Sequence, residues 1–213
     1  MPSLADLVPE GAEAGVGLAL QDGAGRYLFF LAGTRHSCPP GERFYAGIGG
    51  HREAGEEWVA CAHREAQEEV GVDVELLPAP TTWYLPHGSA PRRVEVADRP
   101  RPLALYEMVH PAGTPRAGEL YRIVIYRARL GGLPRALPPD EVGGVLALTV
   151  EQVVRGLEGP VSLGELLAAG AAWVAGPQPA GPAALALRLY PLGTARALGH
   201  VLRELGHASA RML

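Results

Sequence analysis

The residues from Glu56 to Val70 constrain this chain more than any others. The segment holds no glycine or proline and many good helix formers, and Gly71 stands where a C-cap glycine ends a helix. On a helix, Glu65, Glu68 and Glu69 are three and four residues apart and share one face. Carboxylates so placed repel one another by a few tenths of a kcal/mol per pair. A divalent cation reverses the sign, and hard oxygen donors at this density suit Mg²⁺ or Mn²⁺, which keep water and bridge to phosphates. Arg64 stands beside the cluster and can orient a carboxylate through paired hydrogen bonds. Val59, Ala62, Ala66 and Val70 line an adjacent face for packing on a sheet. By themselves the three acids suit a solvated helix as well as a site.

Around this helix the chain reads as short apolar runs separated by breakers. Residues 15–21 and 26–32 flank Asp22-Gly23-Ala24-Gly25 and predict a hairpin. Residues 35–42, with Pro39, Pro40 and Gly41, predict a loop, and Phe44 to Ile48 a further short strand. Strands are expected at 73–78, 80–85 and 103–110, with a long, basic, mobile loop over 87–102. Glu119 to Arg129 is apolar on both faces near its middle (Ile123, Val124, Ile125), as a buried central strand is. Val142 to Leu148 reads as the last strand and Val150 to Leu157 as a short helix. Beyond residue 158 the composition turns to alanine and leucine. Residues 162–175 predict a helix capped by Ser162, and 193–207 a second one with an apolar stripe of Ala197, Leu198, Val201, Leu202 and Leu205. This gives a domain over 12–157 and a helical extension over 158–213, packed on the domain or on a partner subunit.

Composition narrows the chemistry. The net charge of −4 argues against a broad nucleic-acid-binding face. All 19 basic residues are arginine, so no mechanism can use a lysine. Cys38 and Cys61 make neither a disulfide framework nor a structural zinc site. The first fifteen residues carry acids and no basic run, unlike a secretory signal, and no apolar run is long enough to span a membrane. The expectation is a cytoplasmic protein.

The spacing across residues 50–72 resembles the Nudix box, G-x5-E-x7-R-E-U-x-E-E-x-G-U, where U is a bulky aliphatic residue. Gly50, Glu56, Arg64, Glu65, Glu68, Glu69, Gly71 and Val72 fall in register. Ala66 is smaller than the expected aliphatic residue, a departure that touches packing and no charged position. The resemblance implies an α/β fold, the Nudix α/β/α sandwich with a mixed sheet, here followed by the helical extension. It implies a pyrophosphohydrolase dependent on Mg²⁺ or Mn²⁺ that cleaves a nucleoside diphosphate linked to another group X. X would be ADP-ribose-like, a nucleotide sugar or a nucleoside triphosphate. By the same resemblance Glu65 and Glu69, with Glu68, bind metal. Glu56 joins them or supports the loop, and Arg64 is mainly structural.

In such chemistry a metal neutralises the diphosphate and a carboxylate removes a proton from water. Glu141, ahead of the strand at Val142, is the candidate base, and an acid capping a strand start reads equally well there. Trp83 and Tyr84 are candidates for stacking on a nucleobase, and Arg92 and Arg93 for gripping phosphate. His51, His63 and Cys61 read as residues without a chemical role. A small-molecule nucleotide is the expected partner, with no nucleic acid or membrane, and a homodimer is compatible. A Nudix-fold domain that binds a nucleotide without cleaving it is the alternative.

Overall fold

The computed structural model describes residues 1–110, 116–132, 134 and 137–210, with side chains to residue 206. Two mixed sheets carry the fold. In the first, β8 (Leu120–Leu130) is central. It pairs in parallel with β1 (Ala14–Leu20) and antiparallel with β7 (Ala104–Val109). β4 (Val74–Leu77) takes up the β8 edge where β7 leaves it. β5 (Thr82–Leu85) runs parallel to β7, and β6 (Arg92–Val94) closes that side antiparallel to β5. The double-sided apolar pattern of 119–129 thus marks the most heavily paired strand of its sheet.

The second sheet centres on β2 (Tyr27–Ala32), between β3 (Glu42–Ala46) and β9 (Val142–Leu148), both antiparallel to it. Beyond β9 lies β11 (Ala172–Ala175). Beyond β3 lie β12 (Arg188–Pro191), parallel to it, and then β10 (Val161–Ser162). The segment after residue 158 therefore does more than add helices. It supplies α4 (Leu163–Ala168), α5 (Gly181–Leu185) and α6 (Thr194–Ala210), and also β10, β11 and β12. The 162–175 stretch is a helix only in its first half. Ser162 caps it as expected, accepting a hydrogen bond from the Glu165 N–H, and the chain then turns into β11.

The expected hairpin does not form. β1 and β2 lie in different sheets, linked at the turn by a Gln21–Tyr27 bridge. The free edge of β1 is already occupied. Val16 and Leu18 donate their N–H groups to the carbonyls of Gly50 and Ile48, and Arg52 donates to Ala14. The Asp22 turn, in which the carboxylate accepts from the backbone of Ala24 and Arg26, carries the chain to the other sheet instead. The 87–102 stretch is not the free loop expected. β6 pairs with β5, Val96 is fully buried, Asp98 accepts the Leu4 N–H and Arg101 donates to the Pro80 carbonyl. Its arginines are spent on local acceptors and aromatic faces.

Two helices cover opposite faces. α2 (Trp58–Val70) buries Trp58, Cys61, Ala62, Ala66 and Val70 among Val16, Leu18, Val124, Phe30 and Val145. α6 buries Ala195, Ala197, Leu198 and Val201 among Ile123, Ile125, Phe29 and Leu146, beside α3 (Val150–Arg155). This is the α/β/α sandwich, and each fully buried leucine in it stabilises the fold by about 2 kcal/mol. Among the described residues no helix is long and apolar enough to cross a membrane.

Candidate active site

The loop from Ile48 to Arg52 hydrogen-bonds to β1 and leads into α2, so strand and helix meet at two glycines. Gly49 has φ 144°, and a Cβ there would lie 2.1 Å from the Val16 carbonyl oxygen. A Cβ on Gly50 would lie 2.5 Å from both oxygens of Glu65. On β1, a Cβ on Gly15 would lie 2.0 Å from the Gly50 carbonyl oxygen and 2.1 Å from the Tyr121 hydroxyl. Glycine at these positions lets the Glu65 carboxylate press against bare backbone.

Arg64 organises the acids. Its Nε and Nη2 donate to the two oxygens of Glu56 at 2.8 and 3.0 Å. Nη1 donates to Glu65 at 2.7 Å and to Glu68 at 3.0 Å, and Nη2 also reaches the His51 carbonyl at 2.9 Å. The guanidinium is thus used as a paired fork on Glu56. Hydrogen bonding from Arg64 holds the Glu56 carboxyl down to about 2. Glu53 completes that anchor by donating its N–H to Glu56 at 3.0 Å.

Glu65 and Glu69 behave differently. Glu65 is 7% exposed, and burial raises its pKa. Glu69 is half-buried and accepts the Gly49 N–H at 3.2 Å. Burial, and then the nearby charges of Glu65 and Glu141, push its carboxyl up to about 7. Glu68 and Glu69 also sit in the last turn of α2, where the helix dipole is negative and no basic residue stands. The helix therefore carries anionic groups that its own residues leave partly uncompensated. Among the described residues, one oxygen each of Glu65, Glu68 and Glu69 takes no protein hydrogen bond.

Glu141 reaches the site from the loop before β9, 72 positions after Glu69. Its carbonyl accepts the Gly33 N–H, and Asp140 accepts the Arg35 N–H. Its carboxylate takes a 2.5 Å hydrogen bond from Arg35 Nη1, and both charges act on Glu69. Arg35 had no signal in the sequence beyond a loop. Its partner is 106 positions away.

The expected substrate residues fall elsewhere. Trp83 is 5% exposed and belongs to the core, which removes it as an open shelf for a base. Arg93 lies over its ring at 5.1 Å, and Arg92 over Tyr84 at 4.9 Å, through cross-strand register. Tyr84 donates to Glu107, which also pairs with Arg122. His63 is tied to Asp73 and burial pushes the Cys61 thiol up to about 12, so neither is poised for chemistry. His51 lies tilted against the Tyr121 ring at 4.7 Å, and His110 against the same ring at 5.4 Å.

A family model described as the NUDIX domain matches residues 12–168. The chain belongs to the Nudix family. This chain is a hydrolase acting on phosphorus-containing anhydrides, and Nudix hydrolases in general need divalent metal ions. Among solved structures it is similar to a Nudix hydrolase from Nitrosomonas europaea (14% identity, 67% of this chain and 75% of that one, TM-score 0.45). It is also similar to a MutT Nudix hydrolase from Burkholderia pseudomallei (20% identity, 67% and 87%, TM-score 0.44). A C. elegans Ap4A hydrolase is 14% identical over 92% of this chain and 98% of that one, with a TM-score of 0.42. No curated protein matches the sequence.

Proposed function

We propose that this Nudix chain is a metal-dependent pyrophosphohydrolase that cleaves the diphosphate of a nucleoside diphosphate linked to X by attack of water. The observation that carries the reading is the division of labour around Arg64. Glu56 takes the paired fork of the guanidinium, whereas Glu65 shares a single guanidinium nitrogen with Glu68 and Glu69 accepts only the Gly49 N–H among the described residues, both acids packed against the Gly49–Gly50 backbone. Among the described residues no three His, Cys, Asp or Glu side chains close into a metal cage. Mg²⁺ and Mn²⁺ do not require one, because they are held by one or two carboxylates together with water and substrate phosphate. The donor set fits. Glu65 and Glu69 would hold the ion, with Glu68 at the exposed edge, and Glu56 would serve the site by fixing Arg64.

When bound, the metal supplies charge neutralisation on the diphosphate and acidifies a coordinated water. Glu141 takes the proton as the water oxygen bonds to phosphorus and the bridging P–O bond breaks. The two products are phosphate monoesters, or one such ester and an inorganic phosphate or diphosphate. With no lysine in the chain, the protein groups that contact the phosphates are arginine, histidine or backbone N–H. A nucleotide panel with Mg²⁺ or Mn²⁺ tests the reading through phosphate release. Full turnover by Glu69→Gln on the best substrate would overturn the assignment. Tight nucleotide binding with no metal-stimulated release would favour the binding-domain alternative.

A further inference from the structure

We propose that Arg35 is the residue that grips the substrate diphosphate, and that its pairing with Glu141 is a latch which the diphosphate opens. The inference rests on the proposed hydrolase reading and adds a residue to it. Three observations carry it.

The first is elimination among the described arginines near the acids. Arg64 is spent on Glu56, Glu65, Glu68 and a carbonyl. Arg52 lies over Trp58 at 4.1 Å, Arg116 is paired with Glu13 and Arg122 with Glu107. Arg35 is different. Its side chain is 55% exposed and commits one nitrogen, Nη1, to Glu141. The second is placement. The Gly33 and Arg35 N–H groups are bonded to the carbonyls of Glu141 and Asp140, and a Cβ on Gly33 would lie 2.4 Å from the Asp140 oxygen. His36 packs edge-on against Phe44 at 5.2 Å. The backbone under Arg35 is therefore fixed beside the candidate base. The third is competition. A planar guanidinium pairs with phosphate through the same fork that it offers a carboxylate. A diphosphate carries more charge than Glu141 and competes for Arg35, and the exchange leaves the Glu141 oxygen free to accept a proton from water.

The latch makes a prediction that a purely structural ion pair does not. Removing Glu141 should strengthen anion binding while it lowers turnover. The probe is methylenediphosphonate, whose P–C–P bridge resists hydrolysis. It is titrated calorimetrically into the full chain at fixed Mg²⁺. Arg35→Gln should weaken binding by about tenfold or more, and Arg35→Lys should recover part of the loss because it keeps charge without the fork. Glu141→Gln should tighten binding about threefold or more. The double variant should match Arg35→Gln, since the competitor matters only when the arginine is present. On the best panel substrate Arg35→Lys should raise KM more than it lowers kcat, and this variant also guards against misfolding of Arg35→Gln. Unchanged binding in Arg35→Gln, weaker or equal binding in Glu141→Gln, or no binding by the parent chain overturns the latch. Failure of the parent chain to hydrolyse any nucleotide overturns the hydrolase reading instead, and the two results are read in separate experiments.

Discussion

Replacing Glu69 by glutamine should make the metal-free protein more stable at pH 8 while it ends turnover. In the folded chain the Glu69 carboxyl titrates at about 7, against 4.5 for an ordinary glutamate. Between those values the folded state holds a proton that the unfolded state has released, so stability falls as pH rises through that window. At about 1.4 kcal/mol per pH unit, the full displacement sets a ceiling of about 3 kcal/mol on the destabilisation at pH 8. Water at the open side of this half-buried group brings a working value to about 2 kcal/mol. Glutamine keeps a carbonyl oxygen for the Gly49 N–H and carries no charge. For a chain of this size the variant should melt roughly 4–8 °C higher at pH 8 in EDTA, and with almost no advantage at pH 4.5. Mg²⁺ should raise the melting point of the parent chain, where it discharges the carboxylates, and raise that of the variant less. The measurement is a set of melts from pH 4.5 to 8 with and without Mg²⁺. An identical gap between the two proteins at every pH would refute the burial argument.

Other perturbations separate the parts of the fold. Arg64→Ala strips the partners from Glu56 and Glu65 and should cost about 3 kcal/mol in denaturant unfolding, with Arg64→Lys losing most of the same because an ammonium cannot form the fork. Gly17→Ala drives a Cβ to 1.9 Å from Thr194 Oγ1 and should cost about 2 kcal/mol, and adding Thr194→Ala should return part of it. Leu198→Ala, at a site 1% exposed, should cost about 3 kcal/mol and lower the melting point without changing KM. Deleting residues 187–213 removes β12 from the second sheet and α6 from the core, so the truncated chain should show no cooperative melt. A sharp melt with unchanged turnover would mean that these elements only decorate the domain.

The parts legible in the sequence are those whose causes are local. Helix spacing alone puts Glu65, Glu68 and Glu69 on one face, and Gly71, at φ 65°, ends α2 as its position predicts. Val142–Leu148 is a strand at the expected bounds because continuous apolar residues end at a capping threonine. Sheet membership has no such local cause. Whether residues 15–21 pair with 26–32 depends on the loop 48–52, whose backbone takes the edge that a hairpin needs. The C-terminal strands span four residues or fewer in an alanine- and proline-rich background; β12 and β11 form on the edges that β3 and β9 offer, and β10 then pairs with β12. The site divides along the same line. Its acids lie within one motif, whereas Arg35 and Glu141 are brought together by backbone bonds across 106 positions. The two halves of the site depend on different parts of the fold: the motif carries the charge that attracts a cation, whereas the β2–β9 pairing sets Arg35 and Glu141 beside it. A variant that weakens the β2–β9 pairing should therefore impair the proton-accepting and anion-gripping groups before it disturbs the carboxylates of α2.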